Sequence, residues 1–275
     1  MSKDVAGRMR EEIVLELYHS INSVCAQKIR LTLVEKGLSC TEHLMKLNGD
    51  QFDPAYLKLN PNGVVPTLIH DGKAITESSV ILYYLDEVFP NPPLMPTDPL
   101  ARTKVRLFNK LIDEYVHNSC MILTFATAFR PPLLRIPEAQ RNAEFAKSPI
   151  KKRAEYKTDV VTHGLQSVYV AEALAHHRKL LAWIDEAVQN GPYLAGDSYS
   201  LAEAAVIPYL LRLELLRLSG LWADYPGVAT WWARMRERPS SRSAIIERMT
   251  DKDWAPFREL APDPWPQVQG LLQAA

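Results

Sequence analysis

The stretch LNPNGVVPTLIHDGKAITESSVILYYLDEVFP, residues 59–90, decides the fold of the N-terminal third of this chain. Within it, VVPTLIHDGKAI predicts a β-hairpin that turns at Asp71-Gly72, because Asp-Gly between two apolar runs suits a tight turn. The segment TESSVILYYLDEVFP then has the apolar spacing of a helix. The stretch therefore predicts two adjacent strands followed by a helix.

The residues upstream complete a small α+β domain. EIVLELY (12–18) reads as a buried strand, and SVCAQKIRLTLVEKG (23–37) reads as a helix that ends at Gly37. CTEHLMKL (40–47) alternates like a second strand, and DPAYLKLNPNG (53–63) is turn-rich and irregularly helical. The order β-α-β followed by β-β-α predicts a mixed sheet with helices on its faces.

The residues downstream predict a second, all-α domain. The proline-rich segment PNPPLMPTDP (90–99) cannot continue a helix, and the spacing after it is helical almost to the end. In that domain, Ser200 and Glu203 have the spacing of a capping box. We predict an N-terminal extension at residues 1–12, a sheet domain at 13–89, a linker at 90–98 and a helical domain at 99–275. The helical domain contains an insertion at about 130–164 that is mobile or covers a cleft. The end of the chain, 263–275, reads as a loosely packed extension.

Composition excludes several classes of function. The chain has 275 residues, with 32 basic and 32 acidic side chains, so it lacks the positive charge of a nucleic-acid-binding protein. Its three cysteines are odd in number and have no metal-ligand spacing, which favours a reducing cytoplasmic setting. There is no signal-peptide core and no apolar run of about 18 residues. We expect no metal, no nucleotide and no membrane span.

Three motifs together resemble the glutathione S-transferase superfamily. They are the stretch 59–90, the capping-box segment YLAGDSYSLAEAAVIP, and WWARMRERPS near the end of the helical part. The resemblance covers most of the chain and implies a thioredoxin-like domain (βαβ-ββα) followed by an all-α bundle, with glutathione as co-substrate and a cytoplasmic dimer. The chain departs from the family at Glu203, where aspartate is usual, and in its longer insertion.

The resemblance also implies where glutathione binds. Pro66 matches the family's cis-proline, which would turn the backbone of Val65 toward the cysteinyl part of the ligand. Glu77 and Ser78 match the γ-glutamyl-binding pair, at a helix start whose free amides suit a carboxylate. Asp113 could reach the ammonium group, within one chain or across a dimer. From the residues alone, a trans proline and a plain helix cap remain open.

The loop before the first helix holds the candidates that could face the glutathione sulfur. The pattern S-V-C-A-Q-K-I-R is similar to that of zeta-like and tetrachlorohydroquinone-dehalogenase-like members, and it makes Ser23 the thiolate donor and Cys25 a thiol for a second step. Against theta-like members, Asn22 takes the place of Ser23. We rank Ser23 first, Asn22 second and Cys25 third; Cys25 could equally be a small buried side chain.

Other polar and aromatic side chains have simpler interpretations. Lys28, Arg30 and the pair His176-His177 read as solvated helix positions. Most aromatic residues of the helical domain are expected in its core. The candidates for an electrophile pocket are Tyr115, His117 and Phe125, together with Phe129, Trp183, Tyr209, Arg212 and Trp222.

The hypothesis is a transferase that activates the glutathione thiolate for attack on a hydrophobic, aromatic electrophile, with β-aryl ether cleavage or dehalogenation as possible reactions. Two rivals remain: a cis-trans isomerase of the maleylacetoacetate type, and a non-catalytic protein that uses the basic segment KSPIKKRAEYK (147–157) to bind a partner. We expect a homodimer, or a heterodimer with a paralogue.

Overall fold

The computed structural model describes residues 14–259 and 263–274. The predicted extension at 1–12 lies outside this range. The strands are β1 (Leu15–His19), β2 (Thr41–Leu44), β3 (Thr67–His70) and β4 (Lys73–Ile75). The helices of the first part are α1 (Val24–Glu35), α2 (Pro54–Leu59) and α3 (Ser78–Val88), and a short 3₁₀ turn covers Asp50–Phe52.

The four strands form one mixed sheet in the order β2-β1-β3-β4. Strand β2 runs parallel to β1, while β3 is antiparallel to both β1 and β4, with Leu17 opposite Leu68. Leu17 and Leu68 are fully buried, as are Ile29 of α1 and Ile81 of α3. This confirms the predicted βαβ-ββα order and the thioredoxin-like arrangement.

The rest of the described chain is helical. Its helices are α4 (Pro99–Leu111), α5 (His117–Ala126), α6 (Arg130–Leu134), α7 (Glu138–Ala146), α8 (Lys151–His163), α9 (Val170–Val188), α10 (Leu201–Leu215), α11 (Pro226–Arg236), α12 (Pro239–Ala244), α13 (Asp251–Arg258) and α14 (Trp265–Ala274). A π-helical stretch, Ile112–Val116, joins α4 to α5, and short 3₁₀ turns cover Gly164–Gln166, Ser219–Trp222 and Ile246–Arg248.

Helix α10 is the centre of the second domain. Thirteen of its residues are buried, and its start carries the predicted capping box. The Glu203 carboxylate accepts hydrogen bonds from the Leu194 and Ser200 amides at 2.5 and 2.9 Å. The Ser200 hydroxyl accepts from Ala202 at 3.2 Å. Glutamate performs here the capping role for which the family usually has aspartate.

Helix α1 packs against α3, α10 and α12. Nine of its twelve residues are consequently buried, including Lys28 and Arg30. The interpretation of these two side chains as a solvated face is therefore wrong, because a second domain covers that face. None of the helices in the described part of the chain is both long and apolar enough to cross a membrane.

Two further expectations are also wrong, because tertiary packing covers these segments. His177 is fully buried in α9, where its Nδ1 atom lies 2.8 Å from the Ala173 carbonyl oxygen, and burial lowers its pKa to about 4. The last segment is a packed helix rather than a loose extension: Val268 of α14 is fully buried in the main core. The insertion at 130–164 folds into α6, α7 and α8.

Candidate functional site

The thiol of Cys25 lies where the two domains meet. Cys25 is the second residue of α1, so it is next to the free amides and the positive end of the helix dipole. Its Sγ atom is 3.5 Å from Nδ1 of His117, the first residue of α5, and 3.9 Å from the hydroxyl of Tyr209 in α10. Cys25 as a whole residue is half-buried.

The pKa of Cys25 suits a nucleophile. Burial alone would raise this pKa, but the charge of His117, its hydrogen bond and the charge of Lys28 together lower it to about 6. At pH 7, about nine-tenths of the side chain is then thiolate. Burial instead raises the pKa of both Cys40 and Cys120 to about 11. Of the three cysteines, Cys25 therefore has the lowest pKa.

Lys28 connects the thiol to the start of α3. Its buried ammonium donates to the Ser78 hydroxyl at 3.3 Å and pairs with Asp113 at 3.2 Å. Lys28 lies one turn after Cys25 on the same face of α1, so it adds positive charge next to the thiolate. The contact brings Cys25, Ser78 and Asp113 into one cluster.

Arg30 holds the loop before α1 in place. Its guanidinium donates to the carbonyl oxygens of Ser20, Ile21 and Ala244 at 3.2, 2.9 and 2.8 Å. Burial and then the charge of Arg30 lower the pKa of the neighbouring His19 to about 4, so this histidine is neutral at pH 7. The loop geometry therefore depends on a buried arginine.

The other two thiol-facing candidates have structural partners. Ser23 is the N-cap of α1, and its Oγ accepts from the Ala26 amide at 3.3 Å, which leaves the hydroxyl proton able to donate. The Asn22 amide donates to the Asp253 carbonyl oxygen at 3.1 Å, and the Asn22 carbonyl accepts from Arg212 at 2.6 Å. Asn22 thus ties the loop to the helical domain, while Ser23 retains a free donor.

The backbone of Val65 is available to a peptide ligand. The Val65–Pro66 bond is cis, as the resemblance implies. The preceding carbonyl, that of Val64, accepts from the Tyr56 hydroxyl and from Asn60 at 2.5 and 2.9 Å. Among the described residues, the N–H and C=O of Val65 itself have no hydrogen-bond partner. Such unpaired groups can form strand-like hydrogen bonds with an added peptide.

Glu77 has a strained backbone at the start of α3. Its φ of 66° lies in the left-handed region, which costs about 1–3 kcal/mol for a residue other than glycine. Its exposed carboxylate accepts from the Asn62 side chain at 3.2 Å. Next to it, Ser78 opens the helix and contacts Lys28. A carboxylate, a hydroxyl and free helix amides therefore adjoin each other, and together suit the ammonium and carboxylate of an amino acid.

The structure separates the three candidates for the electrophile pocket. His117 contacts the Cys25 thiol, as described above. The Tyr115 ring instead packs 5.1 Å from the His176 ring on the α9 side. Phe125 lies among aromatic rings farther along α5, with Phe129 at 5.4 Å and Phe145 at 6.4 Å between ring centroids.

Arg153 is a site residue that the sequence did not indicate. It lies on α8, within the insertion, and its Nη2 atom is 3.3 Å from Nε2 of His117. A guanidinium has only N–H donors, so this hydrogen bond requires an Nε2 atom without a proton. The other ring nitrogen, Nδ1, faces the thiol at 3.5 Å. No sequence signal could have paired residues 36 positions apart on different helices.

The cluster can stabilise a thiolate and take part in sulfur chemistry. It supplies a nucleophilic sulfur, an imidazole, two hydroxyls and a buried ammonium. Within residues 14–259 and 263–274, no three His, Cys, Asp or Glu side chains converge in the manner of a metal site. The side chains that converge around Cys25 supply acid–base and nucleophilic groups.

Comparison with known proteins agrees with this arrangement. Residues 17–93 match the family model "Glutathione S-transferase, N-terminal domain", and residues 143–239 match "Glutathione S-transferase, C-terminal domain". Protein LigF of Sphingobium sp. is 27% identical over 87% of this chain and 99% of its own length. The crystal structure of that protein, described as a beta-etherase, covers 86% of this chain and 100% of its own with a TM-score of 0.75.

The chain is also similar to two relatives whose names differ from that of LigF. The tetrachloro-p-hydroquinone reductive dehalogenase of Sphingobium chlorophenolicum is 26% identical over 84% of this chain and 96% of its own length. A stringent starvation protein A homolog of Coxiella burnetii is 34% identical over 76% of this chain and 80% of its own length. The two family models together span both domains, and the chain belongs to the glutathione S-transferase family.

Proposed function

We propose that this protein is a glutathione transferase that acts on a hydrophobic, aromatic electrophile bound between the two domains. The observation that carries the proposal is the contact of Lys28 with Ser78, because it brings the Cys25 thiol next to the start of α3. A ligand with an amino-acid end and a thiol would fit between these two points. Glutathione has both groups, and the family match supports it as the co-substrate.

Glutathione would bind along the first domain. Its γ-glutamyl carboxylate would accept from the Ser78 hydroxyl and the first amides of α3, and its ammonium would face Glu77 and Asp113. Its cysteinyl amide and carbonyl would pair with the unpaired backbone groups of Val65, before the cis Pro66. This assignment leaves the sulfur near the N-terminus of α1.

In the first step, the Ser23 hydroxyl would donate to the glutathione thiolate, which attacks the electrophilic carbon. A carbon–sulfur bond forms, and the leaving group departs with the electron pair of the broken bond. Asn22 is a weaker candidate for this donor because its side-chain amide donates to Asp253. Cleavage of an aryl ether and displacement of a halide are both such substitutions.

Cys25 would serve a second step when the reaction is a net reduction. Its thiolate attacks the sulfur of the conjugate, a Cys25–glutathione disulfide forms, and the carbon takes the electron pair and a proton. A second glutathione thiolate then releases Cys25 and glutathione disulfide. In total, two glutathione molecules are oxidised and the substrate gains two electrons. The lowered pKa of Cys25 favours this role.

Turnover of an aryl ether, a halogenated hydroquinone, a chloronitroarene and a maleyl compound, with glutathione, tests the proposal. We expect Ser23→Ala to lower kcat/KM for substitution by about 10²-fold, the scale of one lost anion-stabilising donor. Cys25→Ala should abolish formation of glutathione disulfide, and the mixed disulfide should be detectable by mass spectrometry in the wild type. The matched control is Cys40→Ala, because burial raises the pKa of the Cys40 thiol to about 11 and this thiol should take no part in the reaction.

Three outcomes would contradict the proposal. Unchanged kcat/KM in Ser23→Ala, Asn22→Ala and Cys25→Ala would refute the site assignment. Turnover of the maleyl compound without consumption of glutathione would indicate the isomerase. A wild type that neither binds immobilised glutathione nor turns over any of these substrates would indicate the non-catalytic interaction protein.

A further inference from the structure

Two positive side chains on the inserted helix α8 have no carboxylate partner. Arg153 and Lys157 are four residues apart, so they lie on the same face of α8. Neither forms an ion pair within 4 Å among the described residues. Glu155 pairs with Lys152 at 2.7 Å, and Asp159 forms no ion pair in that range. Both side chains are half-buried.

The surroundings of Lys157 are aromatic. Its ammonium lies 4.8 Å from the centre of the Phe125 ring and 5.7 Å from that of Phe145. Burial and then the charge of Arg153 lower the pKa of Lys157 to about 8, so most of it is charged at pH 7. Each of these side chains is half-buried. A planar ligand could therefore contact the rings and the ammonium together.

Arg153 connects this region to the reactive cluster. Its Nη2 atom contacts His117, while its Nε atom is buried and has no hydrogen-bond partner among the described residues. A buried, unpartnered N–H is unfavourable, and an acceptor on a ligand would satisfy it. Because His117 also contacts the Cys25 thiol, a ligand held by Arg153 would lie close to the reacting sulfur.

The local charges do not cancel. Lys28 is paired with Asp113, and the Cys25 thiolate faces His117. The Arg212 guanidinium lies 5.9 Å from the ring of Phe129, which packs against Phe125. Arg212 is buried, and among the described residues it donates to two neutral acceptors, Thr124 Oγ1 and the Asn22 carbonyl. Arg153, Lys157 and Arg212 are thus three cations on the helical side of the interface without a carboxylate within 4 Å among the described residues, and the unpaired Asp159 of α8, whose Oδ1 atom is buried, offsets only one of these charges.

We propose that Arg153, Lys157, Phe125 and Phe145 form an anion subsite that selects aromatic electrophiles carrying a carboxylate or phenolate. The name "anion subsite" refers to these four residues. The inference rests on the proposed function, because it concerns the second substrate of that reaction. The rings would take the aromatic part, and the two cations would bind its negative group. Neutral electrophiles of the same shape would contact the rings but would lack the interaction with the two cations.

Binding of 3-nitrobenzoate and 3-nitrobenzamide, measured by calorimetry, tests the subsite without turnover. The two ligands have similar size and no leaving group, and saturating S-methylglutathione keeps the carboxylate out of the glutathione site. We expect the wild type to bind the benzoate at least about tenfold more tightly than the amide. Lys157→Gln and Arg153→Gln should each reduce this ratio about tenfold. Lys151→Gln, which removes an exposed charge from the same helix, should leave it unchanged.

The same variants are then compared in turnover of 4-chloro-3-nitrobenzoate and 4-chloro-3-nitrobenzamide. We expect the ratio of the two kcat/KM values to fall as the binding ratio falls, with the KM for glutathione unchanged. Equal binding of both ligands by the wild type would refute the subsite. A preference for the benzoate that is retained in both Lys157→Gln and Arg153→Gln would also refute it, as would variants in which only the KM for glutathione rises. Preferential benzoate binding without turnover would refute only the proposed function.

Discussion

Replacing His117 by leucine should raise the pKa of Cys25 from about 6 toward its ordinary value of 9. The two largest effects that lower this pKa are the charge of His117 and its hydrogen bond across 3.5 Å, and the substitution removes both. A change of three pKa units corresponds to ~4 kcal/mol of lost thiolate stabilisation. His117→Asn, which can still place an N–H near the sulfur, should give an intermediate value.

The rate at a single pH would conceal this change. At pH 7 the thiolate fraction falls from about nine-tenths to about one-hundredth, a loss of about 90-fold. The more basic thiolate is, however, about 20-fold more nucleophilic, since reactivity rises with pKa at a Brønsted slope of about 0.4–0.5. The net loss at pH 7 is then only about 4-fold, whereas the midpoint of the pH–rate profile moves by about three units.

The measurement is the rate of reaction with 4,4′-dithiodipyridine between pH 4 and pH 10, supported by thiolate absorbance. Cys40 and Cys120 contribute little below pH 9 because the pKa of each is raised to about 11. His176→Leu is the matched control, since His176 contacts Ser119 rather than the thiol. A midpoint of His117→Leu within half a unit of the wild type would refute the assigned role of His117.

Two further substitutions test the roles of buried charged groups. Lys28→Met should raise the KM for glutathione about tenfold, because the Ser78 and Asp113 contacts are lost, and should raise the pKa of Cys25 by less than His117→Leu does. Its free energy of unfolding, from urea titration, should change little, because methionine avoids the cost of burying an ammonium and the Asp113 side chain, which is 44% exposed, keeps its hydration. An unchanged KM would contradict this role. Glu203→Ala should lower the free energy of unfolding by ~3 kcal/mol and Tm by roughly 5–10 °C, because the Leu194 and Ser200 amides lose their acceptor. Glu203→Gln should lower both quantities less. Thermal melts of both variants check this, and an equal fall in Tm for the two variants would contradict it.

The sequence by itself determined the first domain and the start of α10, because local signals specify those elements. Alternating or continuous apolar runs marked the strands, the Asp71-Gly72 turn joined β3 to β4, and the capping box at Ser200 and Glu203 marked the start of α10. It also placed Ser23 and Cys25 in the first turn of α1. These features depend on residues close together in the chain, so their spacing is enough to predict them.

Only the tertiary structure decided what surrounds the thiol. His117 and Tyr209 lie 92 and 184 positions from Cys25 in the chain, and helix packing brings them together. The same packing buries Lys28, whose spacing alone suggested a solvated face, because α10 and α3 cover that side of α1. It also turns Arg153, from an insertion whose sequence indicated no partner, toward His117. Periodicity shows which residues share a face of one helix, whereas the domain interface determines which faces meet and which side chains lose water.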